Sequence, residues 1–135
     1  PVNLRVGGRL MAPAEVFPRV AVFAPDGRTL YSVASSQQFG RIPPPPHTLQ
    51  VIDPVQRRIT RSVTLPANTE ILDAVVSPDG GLLVGVGQTN AIHMVDLATL
   101  TYSARIAGLN PLGDAQPYSG VMERVLMSPR GDRFY

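Results

Sequence analysis

Along the chain, apolar runs are broken by a recurring polar turn. "RVAVFA" leads into Pro25-Asp26-Gly27 and then "TLYSVAS"; "DAVVS" leads into Pro78-Asp79-Gly80 and then "LLVGVG"; "RVLMS" leads into Pro129-Arg130-Gly131. The three prolines stand 53 and 51 residues apart. Pro sets φ near −65° at the second turn position, Asp bonds its own nearby backbone, and Gly supplies the left-handed residue that closes a hairpin. Each unit therefore begins as strand, turn, strand.

A second pattern follows each hairpin. In "HTLQVIDPVQRRITRSVTL", from His47, and "AIHMVDLATLTYSARIAGL", from Ala91, apolar and polar residues alternate up to an Asp, turn, and alternate again. Period-two alternation predicts strands with one buried face. The two acids, Asp53 and Asp96, lie 43 residues apart, and at a strand end each can accept the free N–H groups of its turn. They are read as structural, like Pro25, Asp26, Gly27, Pro78, Asp79 and Gly80, and not as an acid–base pair.

Four strands per unit of roughly 40 to 50 residues is the signature of propeller blades. The expected fold is all-β, a β-propeller of four-stranded antiparallel blades, with about two and a half blades in this chain. Residues 1–18 read as the last strand of a preceding blade, 19–66 and 67–109 as blades, and 110–135 as the start of another. Closure needs four to eight blades. The expectation is a ring of six to eight, completed by the same longer chain or by other subunits. The start at "PVNLRVGG", without Met or a signal-peptide pattern, suggests a processed or trimmed chain.

Composition narrows the function classes. Forty-four percent hydrophobic and 16% charged residues in 135 describe a globular chain able to bury a core. All twelve basic residues are Arg, and they scatter singly apart from Arg57, Arg58 and Arg61, which argues against a nucleic-acid partner. No apolar run is long enough to span a bilayer as a helix. Cysteine is absent, which removes disulfides and thiolate chemistry and fits the cytoplasm or an exported compartment equally. Arg without Lys, with many Pro, Gly and Ala, matches a GC-rich bacterial genome.

Candidate chemistry is sparse. His47 and His93 each lie near the start of a third strand, at positions expected to be comparable in adjacent blades, but without the carboxylates of a metal site. No catalytic residue, metal or cofactor is assigned. "RGD" at Arg130–Asp132 falls on the repeat's own turn, so an integrin-ligand reading is set aside. "PPPP" at 43–46 reads as a stiff polyproline segment, and "GVGQTN" as a strand with small residues for tight packing. The insertions "SSQQFGRIPPPP" and "NPLGDAQPYSG" lengthen the repeat where functional loops would sit. The binding residues expected there are Arg41 and His47 in the first, and Asp114, Gln116 and Tyr118 in the second.

The stretch "VSPDGGLLVGVGQTNAIHMVDLATLTYSARIAGL" resembles the YVTN-type propeller repeat of bacterial and archaeal surface-layer and secreted proteins. Ser77, Pro78, Asp79, Gly80, Asn90, Val95, Asp96 and Thr99 fit its pattern, as do Pro25, Asp26, Gly27, Tyr31, Val51, Ile52 and Asp53. Ala24 and Arg130 depart from it, and "LYSVAS" and "LLVGVG" stand where Tyr-Val-Thr-Asn would. The resemblance implies a binding or scaffold propeller, periplasmic or extracellular, taking a protein or small ligand at its mouth. Related propellers imply a rival: a propeller subunit of a periplasmic quinoprotein amine dehydrogenase, or a lactonase-like hydrolase.

Overall fold

A computed structural model describes residues 16–36, 47–67, 69–87, 91–106 and 124–135. Eight strands are formed among them and no helix: β1 Val16–Phe23, β2 Leu30–Ser36, β3 Thr48–Asp53, β4 Arg58–Thr64, β5 Asp73–Val76, β6 Leu82–Val86, β7 Ile92–Asp96 and β8 Thr101–Ile106. They make two four-stranded antiparallel sheets in chain order, β1-β2-β3-β4 and β5-β6-β7-β8. β1 extends back through Pro18, which sits at a register shift between Pro18 and Val20. Proline is tolerated there because, among the described residues, β1 is the edge strand of its sheet and the bulge removes the need for its N–H.

The three Pro-centred turns are built alike. Ala24, Ser77 and Ser128 donate their N–H groups to the carbonyls of Thr29, Leu82 and Arg133, and their own carbonyls accept Gly27, Gly80 and Gly131. Those glycines have φ of 67°, 75° and 73°, a region that costs a side-chain-bearing residue about 1–2 kcal/mol. The second turns repeat as well. Asp53 Oδ1 accepts the N–H groups of Val55 and Gln56, and Asp96 Oδ1 accepts the Thr99 N–H and hydroxyl. Arg57 and Leu100, 43 residues apart, close these turns with φ of 53° and 57°, and both sheets shift register just after, with Thr60 and Ser103 as the extra residues on the fourth strands.

Stacking follows from the strand period. Tyr31, Val33 and Leu49 of the first sheet pack with Ala74, Val76, Leu83 and Val95 of the second, joined by Leu97 and Leu100 from a turn. On the far face of the second sheet, Val84, Val86 and Ile92 pack with Val125, and Met94, Met127 and Phe134 adjoin them. Counted from the turns, Tyr31, Val33, Leu49 and Val51 are the repeat equivalents of Val84, Val86, Ile92 and Met94, so one interface is the other moved on by one unit. Full burial of a Leu or Val side chain contributes about 1.5–3 kcal/mol, and Leu49, Leu83, Val84 and Val95 are wholly buried.

β1 packs beside β5, whereas β4 is exposed along most of its length. The first strands are therefore inner and the fourth strands outer, as in blades around an axis. A bridge between Met127 and Phe134 begins the next repeat. The architecture is a partial β-propeller.

Candidate functional site

Antiparallel order sends successive connections to opposite edges of the sheets. The Pro-centred and Asp-capped turns share one edge. The other edge carries Ser36 and His47, which flank residues 37–46, and Ile106 and Arg124, which flank 107–123. Both insertions in the repeat are thus bounded by residues of one edge.

His47 organises that edge. Its carbonyl accepts the Leu65 N–H at 2.8 Å, and its Nδ1 accepts the Ile71 N–H at 3.3 Å. One residue thereby ties β3 to the linker that crosses into the second sheet. Burial, and then the charge of Arg19, hold the His47 pKa below its ordinary value, so the ring is neutral at pH 7 and able to accept. The linker sits tightly on β6. A Cβ at Gly85 would stand 2.8 Å from Ile71 Cγ2, and one at Gly87 would stand 1.8 Å from the Glu70 carbonyl oxygen. These two positions require glycine because linker atoms occupy the side-chain space.

Arg19, in the bulge of inner strand β1, is exposed, and its Nε donates to Ser35 Oγ at 3.0 Å. Bulges re-aim a side chain, and this one presents a cation at the same edge. Where the linker enters β5, Asp73 Oδ2 accepts the Val125 N–H at 2.8 Å, a direct bond to the following unit.

The described residues bring together only part of the expected site. His47 is at this edge. Arg41, Asp114, Gln116 and Tyr118 lie outside the described residues, as does Asn90. The two histidines are not repeat equivalents, which corrects the sequence expectation: His93 pairs with Gly85, and the matching place in the first sheet holds Gln50, opposite Ser32. His93 is fully buried, with Nδ1 2.8 Å from the Tyr102 hydroxyl. Among the described residues no group of three or more His, Cys, Asp or Glu could hold a metal.

The turn residues Pro25, Asp26, Gly27, Asp53, Pro78, Asp79, Gly80 and Asp96 all lie on the opposite edge. Asp26 Oδ1 accepts the Arg28 N–H; Asp79 Oδ1 accepts the Gly81 N–H and the Ser77 hydroxyl. In the third turn, where Arg130 replaces the acid, Asp132 Oδ1 accepts the Ser128 hydroxyl at 2.6 Å. The carboxylate of "RGD" is thus engaged inside its own turn. Sequence reading missed Arg19, Ser35 and Ile71 as companions of His47. The one available signal was Pro18 within an apolar run, where a bulge is the usual accommodation.

No family model matches the sequence, and no curated protein matches it. Solved structures are similar in fold. The hydrazine synthase of Kuenenia stuttgartiensis aligns with 94% of this chain and 30% of its own, at 20% identity and a TM-score of 0.62. The beta-propeller domain of Myceliophteria thermophila Cps50 aligns with 83% of this chain and 29% of its own, at 16% identity and TM-score 0.54. The RRP9 WD40 repeats align with 74% of this chain and 31% of their own, at 14% identity and TM-score 0.51. The chain spans less than a third of the length of each. These likenesses show the propeller fold. Among the described residues, no helix is long and apolar enough to cross a membrane.

Proposed function

We propose that the chain is part of a binding or scaffold propeller of YVTN type, exported to the periplasm or cell surface of a bacterium, that holds a protein or small ligand at one mouth of its ring. The observation that carries this reading is the shared edge. Both insertions in the repeat are flanked by residues of one edge, where Arg19, Ser35 and His47 also meet. Loops gathered at one rim of a rigid sheet scaffold are the usual place for recognition residues. The remaining blades come from the same longer polypeptide or from other subunits. Within this reading Arg41, His47, Asp114, Gln116 and Tyr118 form the contact set, with Arg19 added.

The test is to isolate the full-length protein from its source with whatever it carries, and to repeat the isolation with Arg41→Ala, Asp114→Ala and Tyr118→Ala variants. A specific partner or ligand lost from the variants, with the unfolding midpoint unchanged, supports the mouth. Undiminished retention by all three would sink it. Visible absorbance or a cofactor-bearing partner subunit would favour the oxidoreductase reading instead.

A further inference from the structure

At the edge opposite the insertions, a cavity of about 310 Å³ opens between the first two Pro-centred turns. Pro25, Asp26, Thr29 and Tyr31 line it from the first sheet, and Pro78 and Asp79 from the second. Tyr31 is 8% exposed, and among the described residues its hydroxyl has no hydrogen-bond partner. The ring is buried, but the hydroxyl oxygen is not among the buried unpaired atoms, so it faces the open space of the cavity, where a ligand group can replace water. The two acids use only Oδ1 in their turns, which leaves each Oδ2 available.

The next junction serves as an internal comparison. There the equivalents of Thr29 and Tyr31 are Leu82 and Val84, and Arg130 stands in place of the second acid. The turns are also closer. A Cβ built on Gly131 would lie 2.9 Å from Pro78 Cδ, whereas one built on Gly80 would lie 3.9 Å from Pro25 Cδ. A cleft with two carboxylates and a phenol thus exists at the first junction and is replaced by apolar and cationic groups at the second. Repetition of the fold does not account for that difference. Arg61, whose charge reaches Tyr31, donates to the Ala98 carbonyl at 3.3 Å.

We propose that this cleft binds a guanidinium or ammonium group, presented by a peptide side chain or by a free small amine. The carboxylates supply charge-assisted acceptors, the phenol oxygen a further acceptor, and the two proline rings apolar walls for the alkyl stem. The inference is independent of the reading of the opposite mouth, and either can fail alone.

The experiment is a titration of isotope-labelled full-length protein with agmatine, with N-acetyl-arginine amide, and with neutral N-acetyl-citrulline amide, followed by the amide resonances of Thr29, Gly80 and Gly81. Saturable shifts with the cationic probes and none with the citrulline probe are expected. Affinity should fall about fivefold to tenfold in Asp26→Asn, which keeps the Oδ1 acceptor for Arg28 N–H, and about threefold in Tyr31→Phe, which keeps the packing. Tighter binding of the arginine amide identifies a peptide side chain as the source, and tighter binding of agmatine a free amine. Absence of saturable shifts, equal response to the citrulline probe, or unchanged affinity in both variants at unchanged stability overturns the proposal.

Discussion

The Nδ1 of His47 accepts the backbone N–H of Ile71, 24 residues further on, across the junction of the two sheets. The bond exists only while that nitrogen is unprotonated. Burial and Arg19 depress the His47 pKa from 6.5, so the folded state binds fewer protons than the unfolded one. The resulting stability is complete above about pH 6.5 and is lost as pH falls through the lower folded value. Urea midpoints should therefore drop between about pH 7.5 and pH 5. In His47→Asn, whose Oδ1 can accept in place of Nδ1, that slope should flatten. His47→Leu should lose about 1–3 kcal/mol at neutral pH, because the Ile71 N–H is left buried without an acceptor. Equal slopes in the wild type and the Asn variant would refute the assignment.

Two glycines separate steric from conformational demand. Gly27 has open space around it and a φ of 67°, whereas Gly87 has the Glu70 carbonyl oxygen 1.8 Å from where a Cβ would be. Gly27→Ala should cost about 1 kcal/mol through backbone strain alone. Gly87→Ala must push the linker off β6, disturbing Ile71 and its bond to His47, and should cost about 3 kcal/mol or more. Denaturant unfolding of both variants checks the order. A cheaper change at Gly87 than at Gly27 would mean that the linker yields without loss.

What the chain disclosed on reading follows the range of the interactions. Strand alternation, the Pro-Asp-Gly turns and the Asp53 and Asp96 positions were legible because each depends on residues within a few positions of one another. Four strands per repeat followed from those alone. The partnership of His47 with Ile71 was not legible, since nothing in "HTLQ" names a backbone donor across a sheet junction. Arg19 was hidden by a bulge, which changes which way a residue faces without changing the pattern around it. The cleft at Tyr31 emerged only when the two turns could be compared in space.

The third turn offers a test of substitution within a motif. Ser77 gives its hydroxyl to Asp79 two residues on, while Ser128 gives its hydroxyl to Asp132 four residues on, because Arg130 occupies the usual acid's place. Asp132→Ala should destabilise by about 0.5–1.5 kcal/mol, and Arg130→Ala should stay within about 0.5 kcal/mol. Combining Asp132→Ala with Arg130→Asp restores an acid at the repeat position and should recover most of the loss. A double variant no more stable than Asp132→Ala would show that the two acids are not interchangeable.

Acid should release the second turn and the Asp96 turn by the same route but to different degrees. The Ser77 hydroxyl first, and then the Gly81 N–H, lower the pKa of Asp79 from 3.8; the Thr99 N–H first, and then its hydroxyl, lower that of Asp96. Both acids are ionised more readily in the folded chain, so their contribution is present above pH 3.8 and disappears as pH falls through their lower folded values. Ser77→Ala removes the larger influence on Asp79, and Ala24 at the equivalent position shows that the turn tolerates it. Thr99→Ala removes only the smaller influence on Asp96, because the backbone N–H remains. Carboxyl-carbon titrations should accordingly move Asp79 upward in Ser77→Ala by more than Asp96 moves in Thr99→Ala. The reverse order would mean that the hydroxyl, and not the backbone, dominates at Asp96.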